Sequence, residues 1–508
     1  MERTTHLRRD LTQLPLFLLL FGAGAASMFV PAAYGVVSDQ HATSQAFFYA
    51  GLLGSMVFLL IGVAHAGRSP RHGALGPLLS LFCAFVFLPA FFAVPFVEAL
   101  PTTRYINAYF EMLSALTTTG ATLFDDPSRL NGTLHLWRAQ VGWMGGLLMW
   151  VAAVAVLAPL NLGGFEVTAQ AEPGRSEGGL HSTAPLTPRQ RIGRALTTLA
   201  PLYGGFTLIL WIALMATGQE SLDAVIHAMS VMATSGISGA AGGNGGVIAE
   251  IIMAMFMLFA LSRLTFSSDT VTATTGGLRT DPEFRLGLAI LALVPCVLFA
   301  RHFIGAFELA VEPPLTDALA AFWGALFTVL SFLTTTGFVS DYWADARSYS
   351  GLATPGLILM GLALIGGGVA TTAGGVKLLR VYALYRNALR EMDQLVHPHS
   401  VSGAGLAGRR LQSGGAFIAW IFFMLFALSF AAVTLALTLS GVGFEDALVL
   451  AIASLSTTGP LVEYGAAEPI RLILLDDAAK GILSMAMVLG RLETLAIIAL
   501  LTPDLWRS

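Results

Sequence analysis

Four short runs rich in threonine, serine and glycine interrupt the apolar sequence of this chain: Thr117 to Thr122, Ala233 to Ser238, Thr334 to Val339 and Ser456 to Leu461. Their chemistry suits a bare cation that is losing its water. Backbone carbonyls replace a hydration shell only where the chain runs extended without side-chain obstruction. Glycine permits that, because it lacks a Cβ and tolerates positive φ, and threonine and serine add hydroxyl oxygens with little bulk. A single Thr-Thr-Gly is equally an ordinary turn or a small-residue contact between membrane helices. Four in matching contexts, with glycines about 100 to 120 residues apart, make an internal repeat. The pattern predicts one ion filter lined by Thr118, Thr119, Gly120, Thr234, Ser235, Gly236, Thr335, Thr336, Gly337, Thr457, Thr458 and Gly459.

A second unusual run carries Gly366, Gly367, Gly368, Thr371, Thr372, Gly374 and Gly375 in the middle of an apolar stretch. Each internal glycine costs a helix about 1 kcal/mol relative to alanine, so the helix is expected to break there. The preferred reading is an intramembrane loop below the filter that acts as a gate; the alternative is close helix packing through small residues. Arg491 lies in an otherwise apolar helix. A cation at membrane depth costs ~2.5–3.5 kcal/mol on insertion scales, so it has to face a water cavity or a carboxylate such as Glu493 or Glu111.

The elements that position these residues follow from composition. The chain has 508 residues, 55% hydrophobic and only 11% charged, with a mean hydropathy of +0.74, outside the range of soluble domains. About ten apolar stretches suggest membrane helices, near 13–36, 46–66, 75–98, 135–160, 195–217, 247–266, 284–304, 352–386, 414–440 and 473–501. The first is read as a helix and not as a signal peptide, because it is longer than a signal core and lacks a convincing cleavage site. The net charge of -4 carries no nucleic-acid signature. Cys83 and Cys296 sit in apolar spans and offer neither a disulfide framework nor a metal cluster. The histidines have no ligand spacing, and no intramembrane nucleophile and base stand together, which argues against an enzyme.

Before each Thr-Gly run stands an amphipathic stretch too short to cross a bilayer: Ile106 to Leu116, Leu222 to Met232, Thr316 to Leu333 and Phe444 to Leu455. Non-helical backbone at mid-depth survives only when packed in protein or lining a water-filled cavity, and each half-helix would aim its negative C-terminal end at a resting cation. The expected fold is therefore an all-α polytopic membrane protein. Four pseudo-symmetric helix/pore-loop/helix repeats surround a central ion pore, over 75–165, 190–275, 280–395 and 410–508, with two N-terminal transmembrane helices in 1–74. The segments 163–190 and 387–412 read as exposed cytoplasmic loops. Arginines and lysines such as Arg8, Arg9, Arg189, Arg194, Lys377 and Arg390 fall on one side, which by the positive-inside pattern puts the N-terminus in the cytoplasm. Acids such as Asp125, Glu220, Asp341, Glu445 and Glu463 fall on the other, where they read first as solvated loop residues; the alternative is a surface that concentrates cations near an outer mouth.

These residues carry a resemblance to the TrkH branch of the Trk/Ktr/HKT superfamily of potassium transporters, over nearly the whole chain. Ala108 to Phe124 resembles the family's first pore loop, and Leu134 to Leu160 the tryptophan- and glycine-rich helix after it. Gly366 to Arg380 is similar to the glycine-rich interruption of the third repeat, and Leu489 to Arg507 to the C-terminal helix. Ser235, and Ser262-Arg263-Leu264 in repeat two, depart from the family pattern. The resemblance implies potassium uptake across the bacterial cytoplasmic (inner) membrane by a homodimer, with one pore per subunit and a cytosolic nucleotide-binding regulatory subunit beneath. Potassium would be the transported ion, with no organic cofactor and no nucleic-acid partner. An all-glycine filter goes with potassium preference in that superfamily. Arg491 is then expected near the pore axis as a charge barrier, and Lys377 and Arg380 either anchor the gate loop to the partner subunit or snorkel to the interface. Channel-like permeation is the preferred mode; a proton- or sodium-coupled symporter and, less favoured, a secondary solute carrier are the alternatives.

Overall fold

Backbone groups in hydrocarbon have to be satisfied within their own segment, and in the computed structural model the apolar runs are helices, with no strand among the described residues. Those residues are 14–65, 76–160, 187–240, 242–262, 281–309, 315–350, 356–397, 413–493 and 497. Among the described residues, seven helical spans are long and apolar enough to cross a membrane: Leu16–Val37, His41–His65, Gly76–Ala99, Gly132–Leu160, Pro188–Ala216, Pro282–Ala300 and Gly415–Leu439.

Helices α1 (Leu16–Ser27), α2 (Phe29–Val37) and α3 (His41–His65) lie against α4 (Gly76–Ala99) and α6 (Gly132–Ala152). Phe47 and Phe92 meet the fully buried Trp137 edge-on, with ring centroids 5.4 Å apart in both pairs. The chain then runs four times through an incoming helix, a shorter helix, a Thr-Gly segment and a return helix. The first passage is α4, α5 (Tyr105–Leu116) and α6; the second is α7 (Pro188–Ala216), α8 (Ser221–Ala233) and α9 (Val247–Met257). The third is α10 (Pro282–Leu309), α11 (Leu315–Leu333), α12 (Trp343–Ser350), α13 (Gly356–Ile365) and α14 (Leu378–Val396). The fourth is α15 (Ser413–Leu439), α16 (Phe444–Leu455), α17 (Leu461–Tyr464) and α18 (Asp477–Leu492).

Three of the shorter helices have 12 or 13 residues, about 18–20 Å at 1.5 Å per residue and well short of a ~30 Å hydrocarbon core. The third, α11, has 19 residues, one more than the stretch Thr316 to Leu333 read from the sequence and more than the other three. It nevertheless stops at the same Thr-Gly segment.

Packing between passages is cyclic. Return helix α6 packs on α8, α9 on α11, α13 on α16, and α18 back on α5. Two of these helices reach their own Thr/Ser-Gly segments through glycine. A Cβ at Gly145 would run into the carbonyl of Leu116, the last residue of α5, and one at Gly490 into the carbonyl of Leu455, the last residue of α16.

Three sequence expectations change. The stretch 352–386 is not one helix: α13 ends at Ile365 and α14 begins at Leu378. The stretch 387–412 is not loop throughout, because α14 continues to Val396 with a strongly amphipathic face; residues 398–412 lie outside the described residues. The stretch 247–266 breaks early: α9 stops at Met257, a 3-10 turn covers Leu258–Leu261, and Ser262 is extended. Arg263 and the linker through residue 186 lie outside the described residues.

Candidate ion filter and the loop beneath it

Each shorter helix ends in the same backbone device. Thr118, Thr234, Thr335 and Thr457 take left-handed φ angles of 55°, 51°, 57° and 53°, a conformation uncommon for β-branched residues. One residue on, the chain bonds back five positions to the helix: Thr119 N to Ser114 O at 2.8 Å, Ser235 N to Ser230 O at 3.0 Å, Thr336 N to Ser331 O at 2.8 Å and Thr458 N to Ala453 O at 2.8 Å. The recurrence of an unusual torsion with the same closing bond makes the four segments local equivalents. Gly120, Gly236 and Gly337 follow with φ of 74°, 65° and 89°. Gly459 does not have positive φ and is followed by Pro460.

These segments touch in sequence order. The Cα of Gly120 faces the Ser235 carbonyl, Gly236 faces the Thr336 carbonyl, Gly337 faces the Pro460 ring, and Gly459 faces the backbone of Ala121 and Gly120. Gly459 N also donates to Thr119 O at 2.6 Å. The contacts form a closed circuit of four segments, in which Thr119, Gly120, Ser235, Gly236, Thr336, Gly337 and Gly459 take part directly.

Several hydroxyls in the circuit are tied to their own helices. Those of Thr119, Thr336 and Thr458 lie 2.8, 2.9 and 3.2 Å from Thr117, Thr334 and Ser456, and that of Ser235 lies 3.1 Å from Ser230. They hold the segments onto their own helices. Thr234 Oγ1 donates to Ala233 O at 2.7 Å, whereas Thr118 Oγ1 and Thr457 Oγ1 are buried without a hydrogen-bond partner. Such groups cost free energy in a protein interior unless a ligand or water meets them.

The glycine-rich run lies directly against this circuit. Gly374 N donates to Thr335 Oγ1 at 2.7 Å, and Thr372 Oγ1 donates to Met232 O at 3.3 Å. On its other side Gly368 N donates to Ala260 O and Val369 N to Glu283 Oε1, at 2.9 and 3.0 Å. The loop folds back on itself through Val376 N to Leu364 O and Lys377 N to Ile365 O, both 2.9 Å. Gly366, Gly367 and Gly375 line this fold, where a Cβ would meet neighbouring backbone or the Ala373 side chain.

Arg491 reaches the loop. Its Nη1 donates to Thr372 O at 2.7 Å, while Nε and Nη2 are buried without a hydrogen-bond partner. Neither carboxylate named as its possible partner is its salt-bridge partner: Glu493 takes Arg380 at 2.7 Å and Glu111 takes Arg138 at 2.6 Å. Arg380 has no exposed surface and lies 3.6 Å over the Phe422 ring. Lys377 turns its ammonium back onto the Ala373 carbonyl. Both side chains are therefore held by groups of this chain, and the expectation of snorkelling gives way to internal bonding. Outside the membrane spans, hydrogen bonds from Ser128 hold the Asp126 carboxyl below the usual carboxylate range.

Residues 93–260 and 286–506 match the family described as TrkH, cation transport protein. The chain belongs to that family. The TrkH-family chain is 29% identical over 516 residues to the Trk system potassium uptake protein TrkH of Escherichia coli K12, covering 99% of this chain and 100% of that one. It is 31% identical over 424 residues to the protein of the same name from Vibrio parahaemolyticus, covering 82% and 83%. Its fold is similar to the crystal structure of the potassium transporter TrkH from Vibrio parahaemolyticus, with a TM-score of 0.81 at 26% identity over 98% of this chain and 99% of that one. The chain is an integral membrane transport protein and not an enzyme.

Supporting groups brace the Thr/Ser-Gly segments of this TrkH-family chain. Glu111, 2% exposed, braces the first segment by pairing with Arg138 and accepting Leu123 N at 3.0 Å. Thr328 does the corresponding work in the third passage, accepting Ser340 N at 3.3 Å across the same separation of twelve residues. His227, nine residues before its glycine as Glu111 is before Gly120, lies 3.1 Å from Gln219 Oε1 and serves packing. Glu250 is a carboxylate at the head of an apolar helix, where a buried charge needs partners just as that of Arg491 does.

Proposed function

We propose that this chain carries potassium into the cell through a filter formed by the four Thr/Ser-Gly segments, as the central element of four pseudo-symmetric repeats. The observation that carries the reading is the closed circuit of contacts from Gly120 through Gly236 and Gly337 to Gly459 and back. A ring of unobstructed backbone with two unpartnered threonine hydroxyls supplies oxygens for a dehydrated monovalent cation. Helix C-termini behind it add favourable partial negative charge. Relatives named as potassium uptake proteins of the Trk system support potassium as the ion.

The loop 366–375 is the gate, with Arg491 as a charge barrier bound to it. The contacts of Gly374 with Thr335 and of Arg491 with Thr372 support this, since motion of the loop would move both at once. The name of the relatives' system points to further components. The family resemblance makes these a second copy of the chain and a cytosolic nucleotide-binding subunit, at the bacterial inner membrane with the N-terminus in the cytoplasm. Channel-like permeation is favoured over proton coupling, because Glu111, the acid beside the first segment, is engaged by Arg138 and Leu123 N.

The test is rubidium uptake into liposomes holding the purified chain, with potassium and sodium as competitors. Uptake suppressed by potassium well before sodium is expected. Equal competition, or none, would overturn the reading.

A further inference from the structure

We propose that Glu250 is the fixed negative charge that raises cation affinity at the filter, an inference that rests on the reading above. Glu250 has no exposed surface and stands in the first turn of α9. Its Oε1 accepts Asn244 Nδ2 at 3.0 Å and Asp341 N at 2.8 Å; its Oε2 accepts Trp323 Nε1 and Ser340 Oγ, both at 2.8 Å. Three of these donors are N–H groups with no acceptor capacity. An ionised carboxylate offers about four acceptor sites and no donor, so four donors match the charged form. An amide in its place would turn an NH2 group toward two of them.

The partners join two passages. Asn244 belongs to the segment after the second filter run; Ser340 and Asp341 follow the third, and Trp323 is on α11. Asn244 Nδ2 also donates to Val339 O at 2.6 Å, and the Asp341 carboxylate accepts Asn244 N and Gly246 N, each at 3.3 Å. Ser340 is three residues beyond Gly337, a reach of about 10 Å of extended chain. The clamp is therefore built onto the filter strands themselves.

What distinguishes Glu250 is that its charge has no cationic counterpart. Glu111 is neutralised by Arg138 and Glu493 by Arg380, whereas none of the four groups that bond Glu250 is cationic, and among the described residues no basic side chain pairs with it. The N-terminus of α9 stabilises the charge without cancelling it. A buried charge is poorly screened by salt. Its field would reach the neighbouring filter, and a potassium ion there is its natural counter-ion. Glu250 is thus a positioning residue that acts on occupancy and not on the gate.

The experiment compares half-saturation of uptake with maximal uptake, per folded protein in liposomes, over a series of external potassium concentrations with rubidium as tracer. Glu250→Gln is expected to raise half-saturation at least fivefold while maximal uptake stays within twofold. Trp323→Phe removes one hydrogen bond and keeps the charge, and should leave half-saturation within twofold of the parent. Glu250→Asp also keeps the charge and should do the same, which preserves the test if Glu250→Gln fails to fold. Parent-like half-saturation in Glu250→Gln, or a fivefold rise in Trp323→Phe or Glu250→Asp, would overturn the proposal. Absence of saturable uptake by the parent would instead overturn the filter reading on which it rests.

Discussion

Gly459 donates its backbone N–H to the carbonyl of Thr119 over 2.6 Å, so the last Thr/Ser-Gly segment is fastened to the first from opposite ends of the chain. The circuit cannot then be widened at one point without disturbing that bond or one of the three glycine contacts. Interiors packed at this density pass strain to their neighbours, which is why single atoms added at these glycines should be felt as changes in ion preference.

Gly120→Ser is the sharpest such change. Its Cβ would meet the Ser235 carbonyl, and the backbone there has φ of 74°, a left-handed conformation that costs an L-residue roughly 1–2 kcal/mol. Relief requires the first and second segments to part. Sodium should then compete with potassium, and the uptake preference in liposomes should fall about tenfold, the effect of ~1.4 kcal/mol. A preference equal to the parent's would remove Gly120 from the filter.

Arg491→Ala should increase unregulated flux. The substitution removes both a buried positive charge and the 2.7 Å bond to Thr372 O, so the loop loses a tether and the path an electrostatic barrier. Arg491→Lys keeps the charge and should remain near the parent. Rubidium uptake at matched protein level distinguishes the outcomes, and lower flux in the alanine variant would mean that Arg491 is structural.

Much of this architecture was legible because hydrophobic length and glycine placement are local signals. The apolar runs located the helices, and the recurrence of Thr-Gly located the circuit. Hydroxyl roles were not legible: whether Thr119 or Thr118 keeps a free oxygen depends on a torsion set by the helix end. Partner choice was also hidden. Nothing near Arg491 in sequence indicates that Glu493 will be claimed by Arg380, or that Glu111 will meet Arg138, since these pairings depend on how separate helices cross. The extension of α14 to Val396 is hard to see because its mixed polar composition resembles a loop until it is read at helical period.

Arg138→Ala should destabilise the protein strongly. It would leave Glu111, 2% exposed, with only the Leu123 N–H, and breaking a buried pair from one side typically costs 3–5 kcal/mol, or about that much here. Replacing both partners, as in Glu111→Gln with Arg138→Met, should recover part of the loss because no uncompensated charge remains. Thermal unfolding in detergent reads the difference. A double variant no more stable than Arg138→Ala would show that the pair matters through more than charge.

Gly490→Ala tests whether the return helices must approach the filter as closely as they do. Elsewhere in a helix this substitution is favourable by about 1 kcal/mol, and Gly193→Ala in α7, where a Cβ would meet nothing within 4 Å, should be neutral or slightly stabilising. At Gly490 the added Cβ would run into the carbonyl of Leu455. Leu455 ends α16, and Thr457, Thr458 and Gly459 follow within four residues, so α18 can move away only by loosening the fourth segment. Lower thermal stability together with weaker potassium preference is therefore expected from Gly490→Ala and neither effect from Gly193→Ala. If the two variants behaved alike, the close contact between α18 and the end of α16 would not be what holds the fourth segment in register.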